Sequence, residues 1–181
     1  IPTLPIHSPR LAVYEPWGGN MDAGWTRWVL DQHDFSYTHI RSGDLRSSDL
    51  HGRFDVIILP EMKSAALIQG LQGPNVRPEY RGGIGAQGVH NLLRFVEDGG
   101  TLITLGNTAT FAVEHLGAAV TNVVRSQSED AFYGPGSILR VSVDTTHPIG
   151  YGMPPETDAM FVANGGYLAS GRGSRHLPVR T

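Results

Sequence analysis

Three places in this 181-residue chain set residues with usable chemistry directly after an apolar run. Glu15-Pro16-Trp17 follows residues 11–14, Glu61-Met62 follows residues 55–60, and Gly106-Asn107 follows residues 101–105. Short apolar runs closed by Pro or Gly read as strands buried on both faces. Ligands of open parallel sheets gather at the carboxyl ends of such strands. Glu15 and Glu61 are the two acids at these ends. Converging on one pocket, they would hold a cation or an amine; apart, they are ordinary solvated or hydrogen-bonded carboxylates, the commoner outcome. Trp17, with Tyr80 and Tyr133 from later loops, would supply aromatic walls. The candidate pocket is therefore Glu15, Trp17, Glu61, Tyr80, Gly106, Asn107 and Tyr133, with no catalytic residue and no metal ligand assigned.

Other chemistry is thin. There is no cysteine, which removes a thiolate nucleophile, a thiolate metal site and a disulfide scaffold. None of the eight histidines (7, 33, 39, 51, 90, 115, 147, 176) is followed three residues later by Glu, so a His-x-x-Glu zinc pair is absent. Gly82-Gly83-Ile84-Gly85 lacks the Gly-Lys-Ser/Thr ending of a phosphate loop and does not directly follow a strand; it reads as a tight turn. His147 before Pro148 reads as a loop device, and His115 as a complement to a helix dipole. Thr108 has a hydroxyl but no evident base. Trp25 and Trp28 at helical spacing would form either an aromatic ligand platform or, the commoner outcome, core packing. Arg27 beside them would form an anion site or, more commonly, a surface or inter-element salt bridge. With 14 basic and 17 acidic residues, a net charge of −3 and a pI near 6.2, the chain has no basic surplus for nucleic acid or an anionic membrane. No run approaches the ~18 apolar residues of a membrane helix.

The elements that must position these residues follow from periodicity. Strands are expected at 11–14, 37–40, 55–60 and 101–105, with later ones at 138–143 and 159–163. A helix from Asp22 to about His33 would carry Trp25, Trp28, Val29 and Gln32 on one face. Residues 87–98 form a second helix with Val89, Leu92, Leu93 and Val96 in a stripe, ended by Gly99-Gly100. Residues 108–116 form a third, with Ala109, Ala112, Val113 and Leu116 inward. Residues 63–85 are Gly/Pro-rich and irregular apart from a helical turn near 64–68; loops this long are usually functional. Alternating strands and helices spell a doubly wound, mostly parallel sheet. The expected organisation is a linker at 1–9, one domain at 10–170 and a tail at 171–181, with the Pro-punctuated start suggesting a piece of a longer chain.

The stretch Phe95-Val96-Glu97-Asp98-Gly99-Gly100-Thr101-Leu102-Ile103-Thr104-Leu105-Gly106-Asn107 resembles the helix–strand–elbow of type 1 glutamine amidotransferases and PfpI-type proteases. The resemblance implies a three-layer, flavodoxin-like fold. It also places Gly106, or Asn107 with a slip of one, where the family carries a Cys nucleophile activated by His. Activity of that kind is therefore expected to be lost.

Four further segments occur in order: Tyr14 to Trp28, Gly82 to Gly85, Phe132 to Arg140 and His147 to Pro154. Together they look like the amidotransferase-like domain that follows the catalytic domain in bacterial carboxypeptidase-A-like zinc peptidases, a likeness covering nearly all of residues 10–161. It implies a non-catalytic accessory domain beside a peptidase domain, zinc confined to that other domain, and a parent secreted or periplasmic in a bacterium. A small molecule, a peptide or glycan, or a second copy of the chain would be its partners. Two rival readings stand beside it: a hydrolase using Glu61 and His147 around a water, and a purely structural or oligomerising domain.

Overall fold

The computed structural model describes residues 7–47, 49–122, 133–134, 136–161, 168–170 and 179–180, which fall into two compact units, Ile1–Leu116 and Gly117–Thr181.

The first unit is built on four parallel strands: β1 (Leu11–Tyr14), β2 (Tyr37–Ile40), β3 (Val56–Leu59) and β4 (Thr101–Thr104), in the order β2-β1-β3-β4. Leu11 stands opposite both Tyr37 and Val56, and Val56 opposite Thr101, so the strands start level. Arg10 and Asp55 set that level. Asp55 accepts from the Arg10 backbone N–H at 2.7 Å and from the Arg10 guanidinium at 2.6 Å, tying the entry to β1 to the entry to β3.

Strand alternation divides the core into two faces. Ala12, Tyr14, Ile57 and Leu59 point to one side. There they meet Leu45 of α2 (Ser42–Leu45), Leu50 of α3 (Leu50–Arg53), Leu67 of α4 (Ser64–Gln69), Leu92 and Phe95 of α5 (Gly85–Glu97), and Phe111 of α6 (Thr108–His115). Leu11, Val13 and Ile58 point to the other side, where Leu30 of α1 (Met21–Gln32) and Tyr37 pack on them. The result is three layers, with helices on both faces of a parallel sheet: the flavodoxin-like, doubly wound architecture that the element order implies.

Three helical faces differ from the periodicity. The amide carbonyl of Asn20, not Asp22, caps α1 by accepting from Ala23 N at 2.7 Å. Its sheet-facing row is Ala23, Arg27 and Leu30, so Trp25 and Trp28 are not core: they are 60% and 53% exposed and pack edge to face on each other at 5.7 Å. In α5 the buried row is Gly88, Asn91, Leu92 and Phe95, while Val96 is exposed. Asn91 reaches that row because its amide donates to the carbonyls of Leu45 and Ser47, which offsets the cost of burying it. In α6 the buried side chains are Thr108 and Phe111, with the flanking alanines only partly covered.

The loop after α4 is more ordered than its Gly/Pro content suggests. An isolated bridge joins Leu71 to Gly82, and Arg81 donates to the carbonyls of Val76 and Pro74 inside the loop. A 3-10 turn, Pro78–Tyr80, sits near its tip. Ends brought together around self-packed residues are the mark of an Ω-loop.

The second unit is antiparallel. β5 (Val120–Asn122) pairs with β8 (Leu168–Ser170), and β6 (Ser137–Val143) lies between β7 (Glu156–Phe161) and β9 (Val179–Arg180). β7 starts earlier than residue 159, and residues 162–163 of the expected strand lie outside the described residues. β9 falls in the stretch whose polar sequence gives no element signal. The Asp144-to-Pro148 segment is a turn: Asp144 Oδ1 accepts from Thr146 N at 2.9 Å, and His147 Nδ1 accepts from Ile149 N at 3.2 Å.

Candidate functional site

The chain leaves β1 outward to β2 and returns to the other side through β3. Outside the carboxyl ends of β1 and β3 is therefore the switch point where open α/β sheets bind ligands. The residues delivered there sort into two separate arrangements.

The first is the bend after β4. Leu105 N donates to Leu59 O at 3.0 Å, extending the pairing with β3 by one residue. The backbone then turns sharply at Gly106, whose φ of +54° lies in the left-handed region that side chains avoid, and α6 begins two residues later. This strand–tight turn–helix is the shape of a nucleophile elbow. The elbow is filled. A Cβ built on Gly106 would overlap Oε2 of Glu61. That oxygen accepts from Asn107 N, and Oε1 accepts from Asn107 Nδ2 at 2.6 Å. In enzymes with such an elbow, the amide following the nucleophile contributes to the oxyanion hole. Here the matching amide is committed to an internal carboxylate.

The surroundings fix that carboxylate. Glu61 O accepts from Asn20 Nδ2 at 2.9 Å, so the residue that caps α1 also holds the turn after β3. Thr108 is fully buried; its hydroxyl donates to Pro60 O at 2.6 Å and accepts from Met62 N at 2.8 Å. It is a clamp on the β3 turn, without a base to activate it among these contacts.

The second arrangement lies after β1. Glu15, only 12% exposed, presents Oε2 to three donors: His39 Nε2 at 2.8 Å, Arg27 Nη2 at 3.3 Å and Arg41 Nη2 at 3.8 Å. Arg41 also donates to the carbonyls of Glu15 (3.1 Å) and Pro16 (2.7 Å), and its guanidinium lies 4.8 Å from the ring centre of Trp17. On Trp17 sits Tyr80 from the Ω-loop, ring centres 4.9 Å apart and tilted by 49°. Burial, followed by the charge of Arg41, pushes the His39 imidazole below its usual range against the pull of Glu15. It is therefore neutral at neutral pH, donating from Nε2. Arg27 Nε is buried with no hydrogen-bond partner among the described residues.

Glu15 and Glu61 thus do not share partners. Glu15 is paired with cations from α1 and the β2 end, whereas Glu61 is hydrogen-bonded by the uncharged Asn107 after β4. Trp17 and Tyr80 do come together; Gly106 and Asn107 join Glu61. Tyr133 belongs to the second unit and is exposed. Arg27, His39 and Arg41 are the residues that the sequence pattern leaves out of the pocket. The inter-element salt bridge expected of Arg27 is present, with Glu15 as its partner. The alternation of β2, which sends His39 toward Glu15, is the signal that could have found the rest. Among the described residues there is no group of three His, Cys, Asp or Glu placed to hold a metal ion, and no helix long and apolar enough to cross a membrane.

Neither a known protein family nor a curated protein matches the chain. Solved structures do. A ThuA-like protein from Bacteroides uniformis aligns over 97% of this chain and 68% of its own, with a TM-score of 0.52 and 13% identity. A GMP synthase component from Thermoplasma acidophilum aligns over 88% of this chain and 67% of its own, with a TM-score of 0.45 and 18% identity. At such identities the likeness concerns the fold alone. With the strand order beside it, the likeness to the ThuA-like protein agrees with a three-layer, doubly wound, flavodoxin-like α/β fold.

Proposed function

We propose that this chain is a non-catalytic, ligand-binding domain on an amidotransferase-like scaffold. The observation that carries the reading is the occupied elbow. Gly106 offers no nucleophile, and the Glu61 carboxylate fills the space of its missing side chain while engaging the Asn107 amide. A carboxylate held from both oxygens by Asn107 is poorly placed to act as a free base. The test is incubation with glutamine and with a glutamine-mimicking diazoketone, followed by ammonia assay and intact mass. No ammonia release and no adduct are expected. An adduct of one per chain that glutamine protects against would overturn the reading.

The accessory role beside a zinc carboxypeptidase domain rests on the four segments between Tyr14 and Pro154. Its check is the natural gene product. A polypeptide much heavier than 19.6 kDa that contains stoichiometric zinc agrees with it. A natural product of that mass without zinc removes it.

A further inference from the structure

Three cationic or donor groups converge on one oxygen of one carboxylate after β1. Arg27 and Arg41 are charged, His39 is neutral, and Glu15 supplies a single negative charge, so the corner carries a surplus positive charge in a chain whose net charge is −3. A guanidinium has five N–H donors. Among the described residues Arg27 makes one ion-pair contact, at 3.3 Å to Glu15; its Nε is buried, so the donors left for a ligand are those on its Nη atoms. Beside this corner stands a half-exposed aromatic step, Trp17 on Tyr80, with Arg41 against the indole. The Ω-loop is closed by the Leu71–Gly82 bridge and braced by Arg81, so Tyr80 is held on Trp17 by a built element. Fixed cationic donors next to flat apolar faces select ligands that combine an oxyanion with a ring: the anion orients, the ring supplies buried area.

We infer that the corner formed by Arg27, His39, Arg41, Trp17 and Tyr80 binds a small, ring-bearing organic anion, a carboxylate or a phosphate monoester. This rests on the binding reading above and names the ligand class for it. Arg27 faces the anion; His39, whose single N–H is spent on Glu15, and Glu15 itself hold the guanidinium in place. Trp17 and Tyr80 take the ring. Arg41 is a positioning residue, since its donors already secure the carbonyls of Glu15 and Pro16.

The test is 19F-detected titration of the full chain with 4-fluorobenzoate and 4-fluorophenyl phosphate, against 4-fluorobenzyl alcohol, and with acetate as competitor. Binding of at least one ring anion in the range of about 1 mM is expected, as for any small fragment. The alcohol should bind about tenfold more weakly or worse, and acetate should compete poorly. The better of the two ring anions identifies carboxylate or phosphate. Trp17→Ala and Arg27→Gln should each weaken binding about tenfold, a loss of ~1.4 kcal/mol, while Trp28→Ala leaves it unchanged. Equal binding of alcohol and anions, unchanged binding by Trp17→Ala and Arg27→Gln, or no binding of either anion up to ~20 mM would each overturn the inference. These results are independent of the diazoketone experiment. A chain that binds no ring anion yet stays unlabelled loses only its ligand class, whereas a labelled chain loses the non-catalytic reading whatever it binds.

Discussion

At the scale of single residues, Gly106 joins two constraints that normally appear apart. Its φ of +54° makes any side chain strained, and the Glu61 carboxylate makes any side chain crowded. The first costs about 1–2 kcal/mol for a Cβ; the second forces Glu61 off the Asn107 donors. Gly106→Ala should therefore lower unfolding stability by about 2–4 kcal/mol in urea titration. Glu61→Ala alone loses the two bonds to Asn107. In the double variant the crowding is gone, so the two losses should not add. Strict additivity would mean that the carboxylate does not occupy the elbow. Half of this is visible in the sequence. The apolar run ending at Leu105 and the missing Cys can be read directly. That Glu61 fills the gap cannot, because 45 positions separate it from Gly106 and only the β3–β4 pairing brings the two turns together.

At the scale of elements, the positions of the four parallel strands are legible in the sequence. β5, β8 and β9, the edge place of β4, whose Ile103 is exposed rather than buried on both faces, and the helix faces are not. β1, β2 and β3 are short, β-branched or aromatic and bounded by turn residues, so local signal and tertiary role agree. In α1 they conflict. Trp25 and Trp28 have the spacing of a core stripe, yet the sheet-facing row goes to Ala23, Arg27 and Leu30. Arg27 must face inward because Glu15 at the end of β1 needs a cation, and a row carrying an arginine leaves the tryptophans on the opposite side. A periodicity count ranks hydrophobicity and so picks the wrong face. In α5 the same happens by one position: Asn91 is polar but buried through its bonds to Leu45 and Ser47, which rotates the inward row to Phe95 and leaves Val96 out. Chemical unfolding separates the faces. Trp25→Ala and Trp28→Ala should each change stability by no more than about 0.5 kcal/mol, as exposed positions do. Phe95→Ala should cost about 3–5 kcal/mol, as a filled core position does. A tryptophan substitution costing as much as Phe95→Ala would mean that the α1 face is reversed.

At the scale of the whole molecule, each compact unit carries its own acid-sensitive tie. In the first, Asp55 joins the entries of β1 and β3, and hydrogen bonds from Arg10 hold its carboxyl at about 2, below the ordinary 3.8. In the second, hydrogen bonds from Thr146 lower Asp144, which shapes the turn before His147. A carboxylate with a depressed native pKa binds fewer protons in the folded than in the unfolded chain. Its contribution is therefore fully present above the unfolded value and is lost as pH falls through the folded one. His39 acts in the same direction at higher pH. Its imidazole is pushed down, so the unfolded chain takes up a proton first and stability declines as pH drops below the usual histidine range. Stability should thus fall in two stages on acidification: a shallow one below about pH 6.5, where an unfolded imidazole titrates, and a steeper one between about pH 4 and pH 2. Urea midpoints measured across this range should show the first stage disappear in His39→Gln. The lower stage should flatten in Asp55→Asn, which cannot change charge and which starts from lower stability at neutral pH. An unaltered acid limb in Asp55→Asn would show that the Arg10 contact does not set the register of the parallel sheet, and would move that role to the strand pairing itself.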